Sequence, residues 1–182
     1  MADNTFGSFG HAPAAGPASG PAGADTQQVA PQVRVVAQYI KDLSFENPNI
    51  ERLLTGPGEN PNLKVEFNVN ARPMADKLFE SSIHFTAQAA SNAGVIYECE
   101  MVYAGLFQIE NLPPEAIEPF LMINCPTLLF PFMRRLIADI TREGGYPPLL
   151  LDPIDFTQVF LQRQQQAAAG GQPANNNTVT SA

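Results

Sequence analysis

The chain has 182 residues and a formal net charge of −8, with all ten basic and sixteen of the eighteen acidic side chains between residues 31 and 166. An acidic chain repels nucleic acid and anionic membranes and suits a basic protein partner. Two cysteines, Cys99 and Cys125, read as free thiols of a reducing compartment, and the N-terminus has no basic-then-apolar leader and the chain no apolar run near the roughly 20 residues of a membrane span, so a cytoplasmic protein without membrane insertion is expected.

Residues 1–30 are mostly Ala, Gly, Pro and Ser, with Phe6, Phe9 and Val29 as the larger apolar residues. Such a segment cannot bury enough surface to offset its chain entropy and is predicted to be a disordered tail. Val33–Glu46 follows as a rough strand, with Val33, Val35, Ala37, Tyr39, Leu43 and Phe45 on one face and Arg34, Gln38, Asp42, Ser44 and Glu46 on the other. A loop, residues 47–62, carries Pro48, Gly56, Pro57, Gly58 and Pro61, and its Ile50, Leu53 and Leu54 are expected to anchor it on apolar surface.

Leu63–Arg72 alternates cleanly, with Leu63, Val65, Phe67, Val69 and Ala71 facing the core, and predicts a half-buried strand. Phe79–Ala89 and Val95–Phe107 repeat the pattern. Their links are too short for a crossover helix, so these strands pair antiparallel. The wet face collects Asp42, Glu46, Glu66, Glu80, Glu98 and Glu100 against Arg34, Lys64 and Arg72.

After Phe107 the period becomes helical. Asn111-Leu-Pro-Pro-Glu starts a helix, Pro119 should kink it and Pro126 should end it. Thr127–Glu143 predicts a second helix with a stripe of Phe132, Met133, Leu136, Ile137 and Ile140, stopped by Gly144-Gly145. Tyr146–Pro153 is extended, and a last helix begins at Asp155, which with Gln158 resembles a capping box. Residues 167–182, rich in Ala, Gln and Asn, predict a second disordered tail. The expected fold is one α+β domain, residues 31–166, with a four-stranded antiparallel sheet and helices packed on one face.

Catalytic signatures are absent: there is no phosphate loop, no Gly-x-Gly-x-x-Gly and no Gly-x-Ser-x-Gly. His84 is expected on the wet face of its strand, so no metal site or cofactor is expected and the chain reads as a non-enzyme. The Cys125–Phe160 stretch combines much apolar surface with five prolines and little chemistry, which points to a binding groove.

Three separated motifs carry a family resemblance: Lys41-Asp42-Leu43-Ser44-Phe45-Glu46-Asn47-Pro48, Cys125-Pro126-Thr127-Leu128-Leu129-Phe130-Pro131-Phe132, and Gly145 through Phe156. The chain resembles the SecB export chaperones over about residues 31–166. The resemblance implies a homotetramer built as a dimer of dimers. It also implies ATP-independent holding of unfolded precursor proteins and their delivery to the SecA ATPase at the translocon. Carried over by motif, Asp42, Glu46 and Glu100 would contact SecA, with Glu98 beside them where many relatives are apolar. A groove accepting many clients needs adaptable apolar walls, and Leu53, Leu54, Phe130, Phe132, Tyr146, Leu149, Phe156 and Phe160 are its candidates. Two other readings stay open: a SecB-like chaperone serving other clients, such as an antitoxin, and a thioesterase-like enzyme using Glu110 or Asp139.

Overall fold

The computed structural model describes residues 30–54, 56 and 58–168. Both predicted tails lie outside the described residues, apart from the short stretches adjoining the domain. Strands β1 (Gln32–Glu46), β2 (Asn62–Ala75), β3 (Leu78–Ser91) and β4 (Gly94–Glu110) form one antiparallel sheet in the order β1-β4-β3-β2. A short helix, α1 (Ile50–Leu53), interrupts the loop between β1 and β2. Helices α2 (Pro114–Pro119), α3 (Cys125–Glu143) and α4 (Phe156–Ala168) follow the sheet, so the helix-on-sheet α+β architecture is as expected.

Alternation decides which face is buried. Val65, Phe67, Val69, Ile83, Phe85, Ala87, Cys99, Met101 and Phe107 point to the helix side and form the core with Leu129, Met133 and Ile137 of α3. Gly105 sits where α3 comes closest, since a Cβ there would lie 2.8 Å from Leu129 Cδ2. The helix α4 closes the β2 side: Phe156 and Phe160 are buried, and Arg163 Nη1 donates to the Val69 carbonyl at 2.9 Å on the free edge of β2.

Two features depart from the expectation. In β1 the pairing skips a residue at Val36 and again at Lys41. Each extra residue is a β-bulge that turns the following side chains over. Ala37 and Tyr39 therefore lie on the outer face, and Gln38 and Ile40 on the helix face, the reverse of the simple alternation for Ala37, Tyr39 and Gln38. The second bulge restores the predicted order, with Asp42, Ser44 and Glu46 outward.

The second departure is at Pro126, which does not end a helix. Residues Phe120–Asn124 form a π turn that joins α2 to α3, with Cys125 N–H donating to the Phe120 carbonyl. In that register the absent N–H of Pro126 would have served Leu121. The Leu121 carbonyl instead accepts from the buried Ser81 hydroxyl at 2.8 Å, so a strand side chain supplies the donor that proline lacks. The result is one 30-residue helix, Pro114–Glu143, whose most apolar window is long and apolar enough to cross a membrane by length and composition. That length was hidden because proline divides the sequence into shorter runs. Only 39% of this window is buried, with one side packed on the sheet, so the other apolar flank has no cover among the described residues.

Candidate functional site

Strand register gathers carboxylates at one end of the outer sheet face. Glu46 of β1 lies directly opposite Glu98 of β4, and Ser44 opposite Glu100. On the other side of β4, Glu98 pairs with Gln88 and Glu100 with Thr86, which pairs in turn with Glu66. Asp42 stands one row further along. Like charges placed opposite one another in a sheet are unfavourable. Here Gln88 Nε2 donates to Glu98, and Lys64 Nζ lies 2.6 Å from Glu66 Oε1, which leaves an acidic surface with one lysine. A shallow depression lined by Lys64, Glu66, Gln88, Glu98 and Glu100 marks its centre. The four candidate carboxylates Asp42, Glu46, Glu98 and Glu100 thus share one end of one face, and Glu66 joins them.

Glu80 does not. Although it is on the outer face, it is 3% exposed. Its carboxylate accepts hydrogen bonds from the Tyr39 hydroxyl, from Lys41 Nζ at 2.8 Å and from Arg72 Nε at 2.9 Å. The Arg72 hydrogen bond, helped by Lys41 and Tyr39, outweighs burial and holds the carboxyl down at about 2. Sequence alternation had placed Glu80 with the solvated acids; the bulged strand β1 folds its side chains over it instead.

A second surface is built where α3 ends. Gly145 N–H donates to the Arg142 carbonyl at 3.0 Å and Tyr146 N–H to the Thr141 carbonyl at 3.1 Å, the paired bonds of a Schellman stop, with Gly145 at φ +88 supplying the left-handed residue. The extended segment that follows is tied in twice. Leu149 N–H donates to Thr141 Oγ1 at 2.9 Å, and the Tyr146 hydroxyl donates to the Ile96 carbonyl at 3.0 Å. The Tyr146 ring lies 5.0 Å from Tyr97, which lies 5.6 Å from Phe45. This aromatic row, with exposed Pro147, Pro148 and Leu150 beside it, makes a rigid apolar wall. Thr141, fully buried, is its hub and was missed from the sequence because a lone threonine on a helix carries no signal.

The groove candidates therefore separate. Tyr146 and Leu149 belong to the wall. Leu54 is 80% exposed, and Ile50 is exposed too, so neither of these two anchors the β1–β2 loop on apolar surface as expected. Leu53 ends α1, and its side chain is not among those described. Phe130, Phe156 and Phe160 are core: the Phe130 ring lies 6.2 Å from Phe67 and 6.0 Å from Phe156. Phe132 is not part of the buried stripe predicted for α3; it is 52% exposed on the opposite flank.

That flank is the third surface. Leu128, Phe132 and Arg135 share one side of α3; burial raises the pKa of the Tyr103 hydroxyl and the Arg135 charge partly offsets it, and Tyr103 pairs with Ile40. The inward side chains of β1, Val33, Val35, Ile40 and Leu43, are each about two-fifths exposed alongside. The β-branched run at the start of β1 was the sequence signal for this surface, but it reads the same as core.

Nothing in these surfaces resembles a catalytic centre. Among the described residues no His, Cys, Asp and Glu cluster could hold a metal. Asp139 is held by Arg135 at 3.6 Å and Arg142 at 2.8 Å, and Glu110 accepts from Gln108 at 3.0 Å at the far end of the outer face. His84 is half-buried between Asn68 and Val102 on that face, and burial lowers its pKa. Both cysteines are buried, which pushes the Cys99 thiol up to about 11 and the Cys125 thiol up to about 12. At pH 8 roughly a thousandth or less of either is thiolate. A thiol reagent is expected to modify the native protein at least a hundredfold more slowly than the denatured chain; rapid native labelling would contradict this burial.

Comparison with known proteins places these surfaces in a family context. Residues 26–167 match the family model described as preprotein translocase subunit SecB. The protein-export protein SecB of Xanthobacter autotrophicus is 47% identical over 144 residues, which cover 79% of this chain and 92% of that one. That of Zymomonas mobilis is 46% identical over 143 residues, covering 79% and 86%. Among solved structures, a Mycobacterium tuberculosis SecB-like chaperone in complex with a ChAD peptide from the HigA1 antitoxin superposes with a TM-score of 0.56 at 14% identity, over 67% of this chain and 90% of that chain.

Proposed function

This chain belongs to the SecB family of protein-export proteins, and we propose that it is an ATP-independent cytoplasmic chaperone that holds secretory precursors unfolded and hands them to SecA. The observation that carries the reading is the separation of two surfaces on one small domain. Exposed apolar side chains lie on and beside the helix layer, and clustered carboxylates lie on the opposite side of the sheet.

Each surface suits one task. An unfolded client offers apolar side chains of many sequences, which an aromatic wall at Tyr146 and exposed aliphatic residues such as Leu54 and Leu150 accept without shape selection. Clients contacting several copies at once gain avidity, and the uncovered flank of α3 with β1 is the surface by which copies assemble into a tetramer. The acidic end at Glu46, Glu98, Glu100 and Asp42 then faces away from the client and speeds encounter with a basic partner.

The test is refolding of a denatured precursor. A stoichiometric amount of the assembled protein should slow it without ATP, and no effect at several-fold excess would sink the reading. Replacing Glu98 and Glu100 with lysine should weaken SecA binding by about tenfold or more, since rim charges across an interface act together. Client holding should be unchanged in the same variant. Equal loss of both would mean that the two surfaces are one. The M. tuberculosis protein was solved in complex with an antitoxin peptide; the relatives at 41–47% identity are named for protein export, which favours precursors as the clients here.

A further inference from the structure

None of the four residues in the Glu80 cluster belongs to the surfaces above, and their arrangement has a directional effect. Tyr39 and Lys41 flank the place where β1 slips by one residue against β4: Ile40 pairs with Tyr103, Asp42 pairs with Val102, and Lys41 is the extra residue. Both reach across β4 to the same carboxylate on β3, and Arg72 reaches it from β2. All four strands therefore converge on Glu80, with Leu106 of β4 directly opposite it in the register. Lys41 and Arg72 keep about half of their own side-chain surface, 42% and 56%, whereas Glu80 keeps 4%. The carboxylate is the fixed centre and the cations are its covering arms.

The bulge at Lys41 decides where the next five side chains point. The side-chain period of a strand is two, so a slip of one residue turns every following side chain to the other face. With the bulge, Asp42, Ser44 and Glu46 face outward and Leu43 and Phe45 face the helix side. Without it, Asp42 and Glu46 would turn toward the apolar flank and leave the outer face with only the acids of β2 and β4. We propose that Glu80 is a positioning residue for the acidic docking surface. By holding Tyr39 and Lys41 on the outer face it fixes the bulge, and so the outward direction of Asp42 and Glu46. The inference rests on the docking role proposed above for that surface, but its structural half is independent of any partner.

The experiment uses the full-length assembled protein with Asp42→Cys as a reporter, because the native Cys99 and Cys125 are buried. Maleimide labelling of the introduced cysteine is timed with and without Glu80→Ala, and binding of a lysine-rich peptide is measured on the chain that keeps Asp42. Glu80→Ala is expected to slow labelling at least fivefold and to weaken the peptide by a similar factor, while refolding of a denatured client is still delayed. Labelling as fast as in the parent, or faster, overturns the proposal. If Glu80→Ala does not fold, Glu80→Gln and Tyr39→Phe serve: each keeps the shape of the cluster and is expected to at least halve the labelling rate, and no change in either overturns it. Slowed labelling in a protein whose parent does not bind the peptide would retain the positioning role and reject the docking role.

Discussion

Replacing Phe130 with alanine is expected to destabilise the fold by about 3–5 kcal/mol, the usual range for emptying a buried aromatic site. The ring is 7% exposed and is gripped from two sides, by Phe67 of β2 and by Phe156 of α4. Neither neighbour is free to collapse into the space, because one is fixed in the sheet and the other is the residue through which α4 docks. In a domain of about 140 residues, each kcal/mol lowers the melting temperature by a few degrees, so a fall of roughly 10 °C or more is expected in a thermal melt. Tyr146 provides the contrast. Its ring sits on Tyr97 at the surface, so Tyr146→Ala should reduce client binding while changing the melting temperature less than Phe130→Ala does. A Phe130→Ala protein with an unchanged midpoint and lost client binding would show that the binding form is not the packed one.

Placing lysine at both Val35 and Phe132 is expected to dissociate the assembly. Val35 is 39% exposed and Phe132 is 52% exposed, on a flank where β1 and α3 present apolar side chains with no cover among the described residues. In a two-fold interface each substitution appears twice, so four ammonium groups would be taken out of water for every pair of chains. Burying even one without a partner costs several kcal/mol, which exceeds the margin of most assemblies. In the single chain both positions already meet solvent, so the fold itself should survive. Light scattering would then fall from the mass of the proposed tetramer, about four times the 19.7 kDa chain, to a smaller species with the circular dichroism of the parent. An unchanged mass would place the interface elsewhere.

The sheet was legible because its strands are half-buried, and half-burial writes itself into the sequence as strict alternation. β2 and β3 put their side chains on the predicted faces for that reason, although Glu80 is buried on the outer face and Ala71 is exposed. β1 did not, since two bulges cancel over its length: both ends alternate as expected and the middle is inverted, and no local composition marks the change. The helix across Pro126 was illegible for a different reason. Proline's missing donor ends a helix unless something else serves the carbonyl, and the server here, Ser81, is a strand residue brought in only by tertiary packing.

The same limit applied to the candidate site. The carboxylates Asp42, Glu46, Glu98 and Glu100 were found because alternation puts them on one face. Glu80 obeyed the same alternation and was enclosed by three arms from two other strands, Tyr39 and Lys41 of β1 and Arg72 of β2. Aromatic residues of the Cys125–Phe160 stretch could not be sorted from sequence, because Phe130, Phe132 and Tyr146 differ only in which neighbour they meet: another ring, open flank, or the end of the sheet.

The π turn at Phe120–Asn124 also gives this protein a place where its length can change cheaply. A π turn is an α-helix with one residue spliced in, and the spare residue is accommodated by a local bulge rather than by rotating what lies on either side. Removing one residue from this turn would return a plain α-helix with α2 and α3 each still presenting the same side to the sheet. Elsewhere in the 30-residue helix the same deletion would swing one half by about 100° against the other and take its contacts with it. Related chains that differ in length by one residue in this region can therefore share one architecture.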